Sequence, residues 1–221
     1  MAKYGDSKLA VFFETLLKHY GRQHWWPGET AFEVMVGAVL TQNTNWSNVE
    51  KAINNLKAAK LLSAEKINGL DHGQLAQIIR PAGYFNIKAQ RLKNLVGWFC
   101  REYDGSIEAL GQLSIDRLRE QLLSIRGVGP ETADSIILYA LNKLTFVVDT
   151  YTCRVLVRHG CIDGQSDYEA VKDYCETVLP PDLYVYNEFH ALIVRLGKER
   201  CKVRPRCQDC PLEQFEHCLV D

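Results

Sequence analysis

The sequence predicts an all-α protein, and three observations predict it. Apolar residues recur at helical spacing in segment after segment, while the alternation expected of strands is essentially absent. Those segments open on Ser, Thr, Asp or Asn and close on Gly or Pro, the start and stop signals of helices. The 221 residues are 47% hydrophobic and 24% charged, which supplies enough core for one domain or two small ones. No period marks a repeat and no low-complexity segment interrupts the chain.

Taken in order, residues 3–20 read as a helix with Leu9, Phe12, Phe13, Leu16 and Leu17 on one face, ended by Gly21. A loop from Gln23 to Gly28 carries two adjacent tryptophans, Trp25 and Trp26, followed by Pro27. Thr30 and Glu33 form a capping box, and Phe32, Met35, Val36, Val39 and Leu40 behind it mark a central helix. This helix runs into the polar turn Thr41-Gln42-Asn43-Thr44-Asn45, with Trp46 at its end. Thr44 or Asn45 caps the next helix, which carries Val49, Ile53 and Leu56. Helices are expected at about 64–69, 72–80, 86–103 and 114–125, with Gly83 a stop and Ser114 an N-cap. Lys88, Arg91 and Lys93 are expected at the surface, within reach of a phosphate. Past residue 149 a helix runs from Tyr151 to Val157 and another over about 167–178, stopped by Pro180 and Pro181. Asp182 opens a long helix through Tyr186, Phe189, Ile193 and Leu196.

The stretch Leu122 to Asp149 carries the chemistry. Gly127-Val128-Gly129 is a tight turn, Pro130 suits a first helical position, and Ala133, Ile136, Ile137, Ala140 and Leu141 continue at helical spacing. A helix, a two-glycine hairpin and a second helix follow from this. The glycines let backbone approach a ligand closely, and the N-terminus of the second helix attracts an anion such as a DNA phosphate. Asp149 emerges from the apolar run Phe146-Val147-Val148. A carboxylate there can have a raised pKa and serve as a base or as a stabiliser of positive charge.

Net charge is −1, so bulk charge gives no argument for nucleic acid. Local charge bears on it, because Arg195, Lys198, Arg200, Lys202, Arg204 and Arg206 crowd against a single Glu199, although such a run reads equally as a solvated face and charge alone does not decide between them. Of the eight cysteines, Cys100, Cys153, Cys161 and Cys175 lie among apolar neighbours and read as small core residues. The other four, Cys201, Cys207, Cys210 and Cys218, are spaced as metal ligands rather than as disulfides. The spacing itself leaves zinc and an iron–sulfur cluster both open. No stretch reaches the ~18 apolar residues of a membrane span, and no signal peptide opens the chain, so a cytoplasmic protein is expected, nucleoid-associated in a bacterium.

Leu122-x-x-Ile-Arg-Gly-Val-Gly-Pro-Glu-Thr-Ala-Asp, followed by Val147-Val148-Asp149-Thr150-Tyr151, resembles the helix-hairpin-helix motif and catalytic aspartate of the endonuclease III superfamily of DNA glycosylases. Leu40-Thr41-Gln42-Asn43-Thr44 resembles the loop from which such enzymes insert a glutamine into the gap left by a flipped base. The C-terminal cysteines resemble the family's [4Fe–4S] loop, close to C-x6-C-x2-C-x5-C, with a first gap of five residues here and a last gap of seven.

The resemblance implies two helical domains with a cleft between them. One is a six-helix domain over 29–142 containing the hairpin. The other is a discontinuous iron–sulfur domain from 1–28 and 143–221. It further implies Asp149 as catalytic residue, and Gln42, Gly127, Gly129, Thr132, Lys202, Arg204 and Arg206 as contacts to double-stranded DNA bearing a damaged base. Cys201, Cys207, Cys210 and Cys218 would hold the cluster. A monovalent cation, sodium or potassium, would sit on the backbone carbonyls of Leu123, Ile125 and Val128. Bifunctional members carry a lysine two residues after the last hairpin glycine; here that position is Glu131, which cannot form an imine. A monofunctional glycosylase, working as a monomer, is therefore expected. Trp25, Trp26, Pro27 and Trp46 resemble the pocket of the 3-methyladenine glycosylases of the third type, with Glu131 at its edge, and imply an alkylated purine as substrate. A pyrimidine-damage or mismatch glycosylase, and a non-catalytic DNA-binding iron–sulfur protein, are the alternatives.

Overall fold

The computed structural model describes residues 4–218, and every regular element among them is helical. Contacts divide the chain into two compact units, Met1–Trp25 with Leu144–Asp221, and Trp26–Lys143. No helix is long and apolar enough to cross a membrane among the described residues.

The continuous unit begins with the helix αA (Ala31–Leu40). Thr30 caps it, accepting from the Glu33 backbone, and all but its first two residues are buried. Such an all-round apolar helix can only be central. It packs against αB (Trp46–Ala58), αC (Phe85–Tyr103) and the second hairpin helix. Asn45, rather than Thr44, caps αB by accepting from the Asn48 backbone. Short helices Ala64–Gly69 and His72–Ile78 brace αC. The second of these was expected to reach residue 80. Pro81 stops it, because proline disfavours helical backbone in the residue before it, and the chain turns instead through the 3-10 segment Arg80–Ala82. A five-residue helix, Ile107–Gly111, was not expected; it is too short to leave a periodic signature.

Lys88 corrects a sequence expectation. It is 1% exposed, and its ammonium donates to the Leu40 carbonyl at 2.9 Å and the Ala82 carbonyl at 2.7 Å. The first of these is a carbonyl at the C-terminus of αA, where a cation is favoured. Burial, and then the nearby Arg91 charge, pull the Lys88 pKa down to about 8. Lys88 is therefore a clasp on the end of αA rather than a surface residue.

The hairpin consists of αD (Ile115–Ser124) and αE (Pro130–Ser135), the latter continuing into one π-helical turn, Ile136–Ala140. The Leu141 amide bonds back to the Ile136 carbonyl, a five-residue step, where a plain α-helix was expected. Asp134 of αE is fully buried and takes two hydrogen bonds from the Arg119 guanidinium of αD, at 2.8 and 3.2 Å. A two-point charged pair of this kind fixes the angle between the helices as well as their distance.

The discontinuous unit contains αF (Lys8–Tyr20), αG (Thr150–Arg158), αH (Tyr168–Val178) and αI (Leu183–Glu199). αF starts at Lys8, later than expected, because the Ser7 side chain accepts from the Ala10 backbone and caps it there. αI packs against αF and αG through a continuous buried face that includes Tyr186, Phe189, His190 and Ile193.

Candidate active site

Asp149 sits at the N-cap of αG. One carboxylate oxygen accepts from the Thr152 amide at 2.7 Å and from the Thr152 hydroxyl at 2.9 Å. The other lies 3.6 Å from His190 Nε2 on αI. The segment that delivers Asp149 is rigid, since Phe146, Val147 and Val148 are buried and Glu176 accepts from the Phe146 amide at 2.7 Å. Lys172 pairs with the same Glu176 oxygen at 2.7 Å.

Burial pushes the Asp149 pKa up, but the neighbouring His190 and the two Thr152 donors outweigh it and hold the carboxyl below the ordinary range. This corrects the expectation of a raised pKa. The side chain is 11% exposed, and its donors favour the charged form more than desolvation disfavours it. Capping alone would explain Thr152; it would not explain the second oxygen facing an imidazole. Sequence reasoning missed His190, whose one signal was a titratable residue inside the apolar run Phe189-His190-Ala191-Leu192.

In the other unit the hairpin and the Thr41–Asn45 turn are joined through one side chain. Gln42 Nε2 donates to the Gly127 carbonyl at 3.1 Å and to the Thr132 hydroxyl at 2.9 Å, and Gln42 Oε1 accepts from Arg91 of αC. The two glycines of the hairpin differ. Gly127 has φ +98°, and a Cβ there would lie 2.4 Å from Arg91 Cγ. Gly129, the N-cap of αE, has φ −98° and nothing within 4 Å of such a Cβ. Hairpin carbonyls are partly engaged: Ile125 O accepts from the Val128 amide at 3.0 Å, and Arg126 O from Asn94 at 2.8 Å. Leu123 is exposed, Val128 is buried, and Glu131 is exposed on the first turn of αE. Tyr84, which precedes αC in left-handed backbone, is 68% exposed and offers an aromatic face to solvent.

Of the expected pocket residues, Trp26, Pro27, Trp46 and Glu131 belong to the continuous unit. Trp26 and Trp46 meet edge to face with centroids 5.2 Å apart, and Tyr139 lies 5.2 Å from Trp26 on its other contact. Gly37 makes room for both indoles within αA, since a Cβ there would meet them at 3.3–3.4 Å. The two rings touch, so they form a wall rather than an open slot. Trp46 and Pro27 line a recess of about 580 Å³, including its mouth, together with Glu29, Glu33, Glu50 and Lys57. Trp25 belongs to the discontinuous unit, where Lys198 stands 5.9 Å from its ring centroid.

At the C-terminal end Cys201, Cys207 and Cys210 line one recess of about 370 Å³, with Arg158, Arg200 and Arg206 in its wall. Arg158 bonds Cys201 Sγ at 3.4 Å, the Lys202 carbonyl at 2.7 Å and the Val203 carbonyl at 2.8 Å. Cys218 is exposed and is tied to the same wall by its amide, which donates to the Arg158 carbonyl at 2.6 Å. Burial, and then the Cys201 and Cys207 thiols, raise the Cys210 pKa, although the Leu212 amide opposes this. Among the described residues no three His, Cys, Asp or Glu side chains gather closely enough for one ion. Three of the four cysteines thus share one recess with guanidiniums in its wall, and thiolates are ligands for zinc and for iron–sulfur clusters alike. Lys202 is half-buried in this loop, while Arg204 and Arg206 are exposed.

Comparison with known proteins gives this geometry its context. Residues 36–181 match the model of the HhH-GPD superfamily base excision DNA repair proteins. The "Putative DNA repair glycosylase" of Methanocaldococcus jannaschii is 49% identical over 205 residues, covering 92% of this chain and 93% of that one. Endonuclease III of Sulfolobus acidocaldarius is 27% identical over 186 residues, covering 83% and 80%. Among solved structures, the 3-methyladenine DNA glycosylase of H. pylori bound to 1,N6-ethenoadenine superposes with a TM-score of 0.73 at 30% identity, over 86% of this chain and 94% of that one. A trapped endonuclease III–DNA covalent intermediate shares the fold, with a TM-score of 0.79 at 22% identity over 92% and 91%. The chain belongs to the HhH-GPD superfamily of base excision DNA repair glycosylases.

Proposed function

We propose that this chain is a monofunctional glycosylase that hydrolyses the N-glycosidic bond of a flipped, alkylated purine such as 3-methyladenine, leaving an abasic site. The observation that carries the reading is Asp149, held ionised by His190 and Thr152, together with a glutamate at position 131. As the C1′–N bond lengthens, its electron pair leaves with the base and positive charge develops on the sugar. An anion already in place stabilises that charge without reorganising. Water then bonds to C1′ and gives up a proton to bulk solvent. A carboxylate with a lowered pKa is a poor base, so Asp149 acts chiefly as the counter-charge. An alkylated purine is cationic before it leaves and departs neutral, so it needs no strong acid. The Trp26, Trp46 and Tyr139 wall suits an electron-poor base.

In the same reading the hairpin grips a strand phosphate through Gly127, Gly129 and Thr132, with a sodium or potassium ion on the Leu123, Ile125 and Val128 carbonyls. Lys202, Arg204 and Arg206 add phosphate contacts, which supply affinity rather than sequence reading. Cys201, Cys207, Cys210 and Cys218 would hold a [4Fe–4S] cluster, whose contribution is to cross-link that basic loop. The purified chain is expected to be brown, with an absorbance band near ~400 nm that bleaches on chelation; a colourless, zinc-loaded chain would refute the cluster. The protein works on double-stranded DNA as a monomer in the cytoplasm.

A panel of lesion-bearing duplexes tests the function. Base release from the 3-methyladenine duplex, with strand breaks appearing only after separate alkali treatment, is the expected result. A borohydride-trapped enzyme–DNA adduct would contradict the monofunctional part. The endonuclease III relatives favour a second reading, release of a damaged or mismatched pyrimidine, and the same panel separates the two.

A further inference from the structure

Gln42 is held on every polar edge. Both hydrogens of its amide are given, to the Gly127 carbonyl and the Thr132 hydroxyl, and its oxygen takes the Arg91 guanidinium. Arg91 also lays its aliphatic stem against Gly127, where only a glycine leaves room for it. One helical turn earlier on αC, Lys88 grips the carbonyl of Leu40, two residues before Gln42. The helix αC thus fixes the Thr41–Asn45 turn twice, once by backbone and once by side chain, and fixes the hairpin through the same arginine. Two turns far apart in sequence become one rigid piece.

We propose that Arg91 is a positioning residue for base extrusion: through its hydrogen bond to Gln42 and its packing on Gly127, it holds the gap-filling side chain in register with the phosphate-gripping hairpin. The inference rests on the glycosylase reading above. Without the Arg91 donor, Gln42 keeps only its bonds to Gly127 and Thr132, so the side chain is held less firmly, and ordering it fully on the DNA costs entropy at the moment the base leaves the stack. That penalty applies only when a paired base must be replaced. It does not touch the chemistry at the sugar.

The test uses the full chain and two duplexes, each with a single 3-methyladenine, one opposite thymine and one opposite an abasic site. Arg91→Met keeps the stem against Gly127 and removes the donor. Single-turnover base release from the paired duplex should fall about tenfold, the scale of one charge-assisted hydrogen bond. Release from the abasic duplex should change less than twofold. In a Gln42→Ala background, Arg91→Met should add no further loss on the paired duplex, as expected if the two act as a unit. Arg91→Lys, which keeps stem and a donor, should recover most of the rate. If the methionine variant fails to fold, Arg91→Leu, which also removes the donor, carries the test, and a loss confined to the paired duplex then supports the proposal. Equal losses on both duplexes, or additive losses in the Gln42→Ala background, overturn it. A wild-type chain that frees no base from either duplex overturns the underlying reading, and the proposal with it.

Discussion

Asp149→Asn should lower base release by on the order of a hundred- to a thousandfold while leaving duplex affinity unchanged, the scale seen when one preorganised electrostatic group is removed. The substitution is nearly isosteric. Asparagine is as good an N-cap as aspartate, so the two Thr152 contacts and the start of αG survive. What disappears is the negative charge on the oxygen facing His190. Single-turnover release and a binding titration on the same duplex separate the two effects. Wild-type rates in the variant would remove Asp149 from the reaction.

In the proposed reaction the same carboxyl should set the acid limb of the pH profile. Its pKa in the folded chain lies below the ordinary aspartate value, ~3.9. The carboxylate therefore stays charged, and the stabilisation it receives persists, above that ordinary value; both are lost as pH falls through the lower folded one. His190→Gln removes a cause of the depression and leaves burial opposed only by Thr152. Its acid limb should move to higher pH, and a limb that stays in place would separate His190 from Asp149.

Gly127→Ala should cost about 2 kcal/mol of stability and weaken duplex binding, whereas Gly129→Ala should leave stability unchanged. At Gly127 the backbone is left-handed, which costs a side-chain-bearing residue roughly 1–2 kcal/mol, and the new Cβ would collide with the root of Arg91 rather than its flexible end. Displacing Arg91 releases Gln42 as well. At Gly129 the backbone is ordinary and the space open. A methyl group there meets only what approaches the hairpin from outside. If Gly129→Ala binds DNA more weakly at undiminished stability, the backbone itself touches the strand. Urea denaturation and a binding titration distinguish the cases, and equal destabilisation by both substitutions would contradict the asymmetry.

Much of this was legible in order along the chain. Helices capped by local bonds, such as those opened by Thr30, Ser114 and Asp182, announce themselves, because cap and apolar stripe lie within a few residues of one another. The glycine hairpin and Asp149 were visible for the same reason. Residues whose meaning depends on a distant partner were not. Lys88 looks like any surface lysine until Leu40 and Ala82 bring their carbonyls to it.

The sequence by itself determined the helical class, the hairpin, the lone acid after an apolar run and the absence of an amine at position 131, since each is written in neighbouring residues. Only the tertiary structure decided that Asp149 stays ionised, that Gln42 is clasped by Arg91, and that one hairpin glycine is obligatory while the other is not. Charge state and register depend on groups 41 to 90 positions away along the chain, as His190 is from Asp149 and Thr132 is from Gln42, and chain order carries no measure of distance in space.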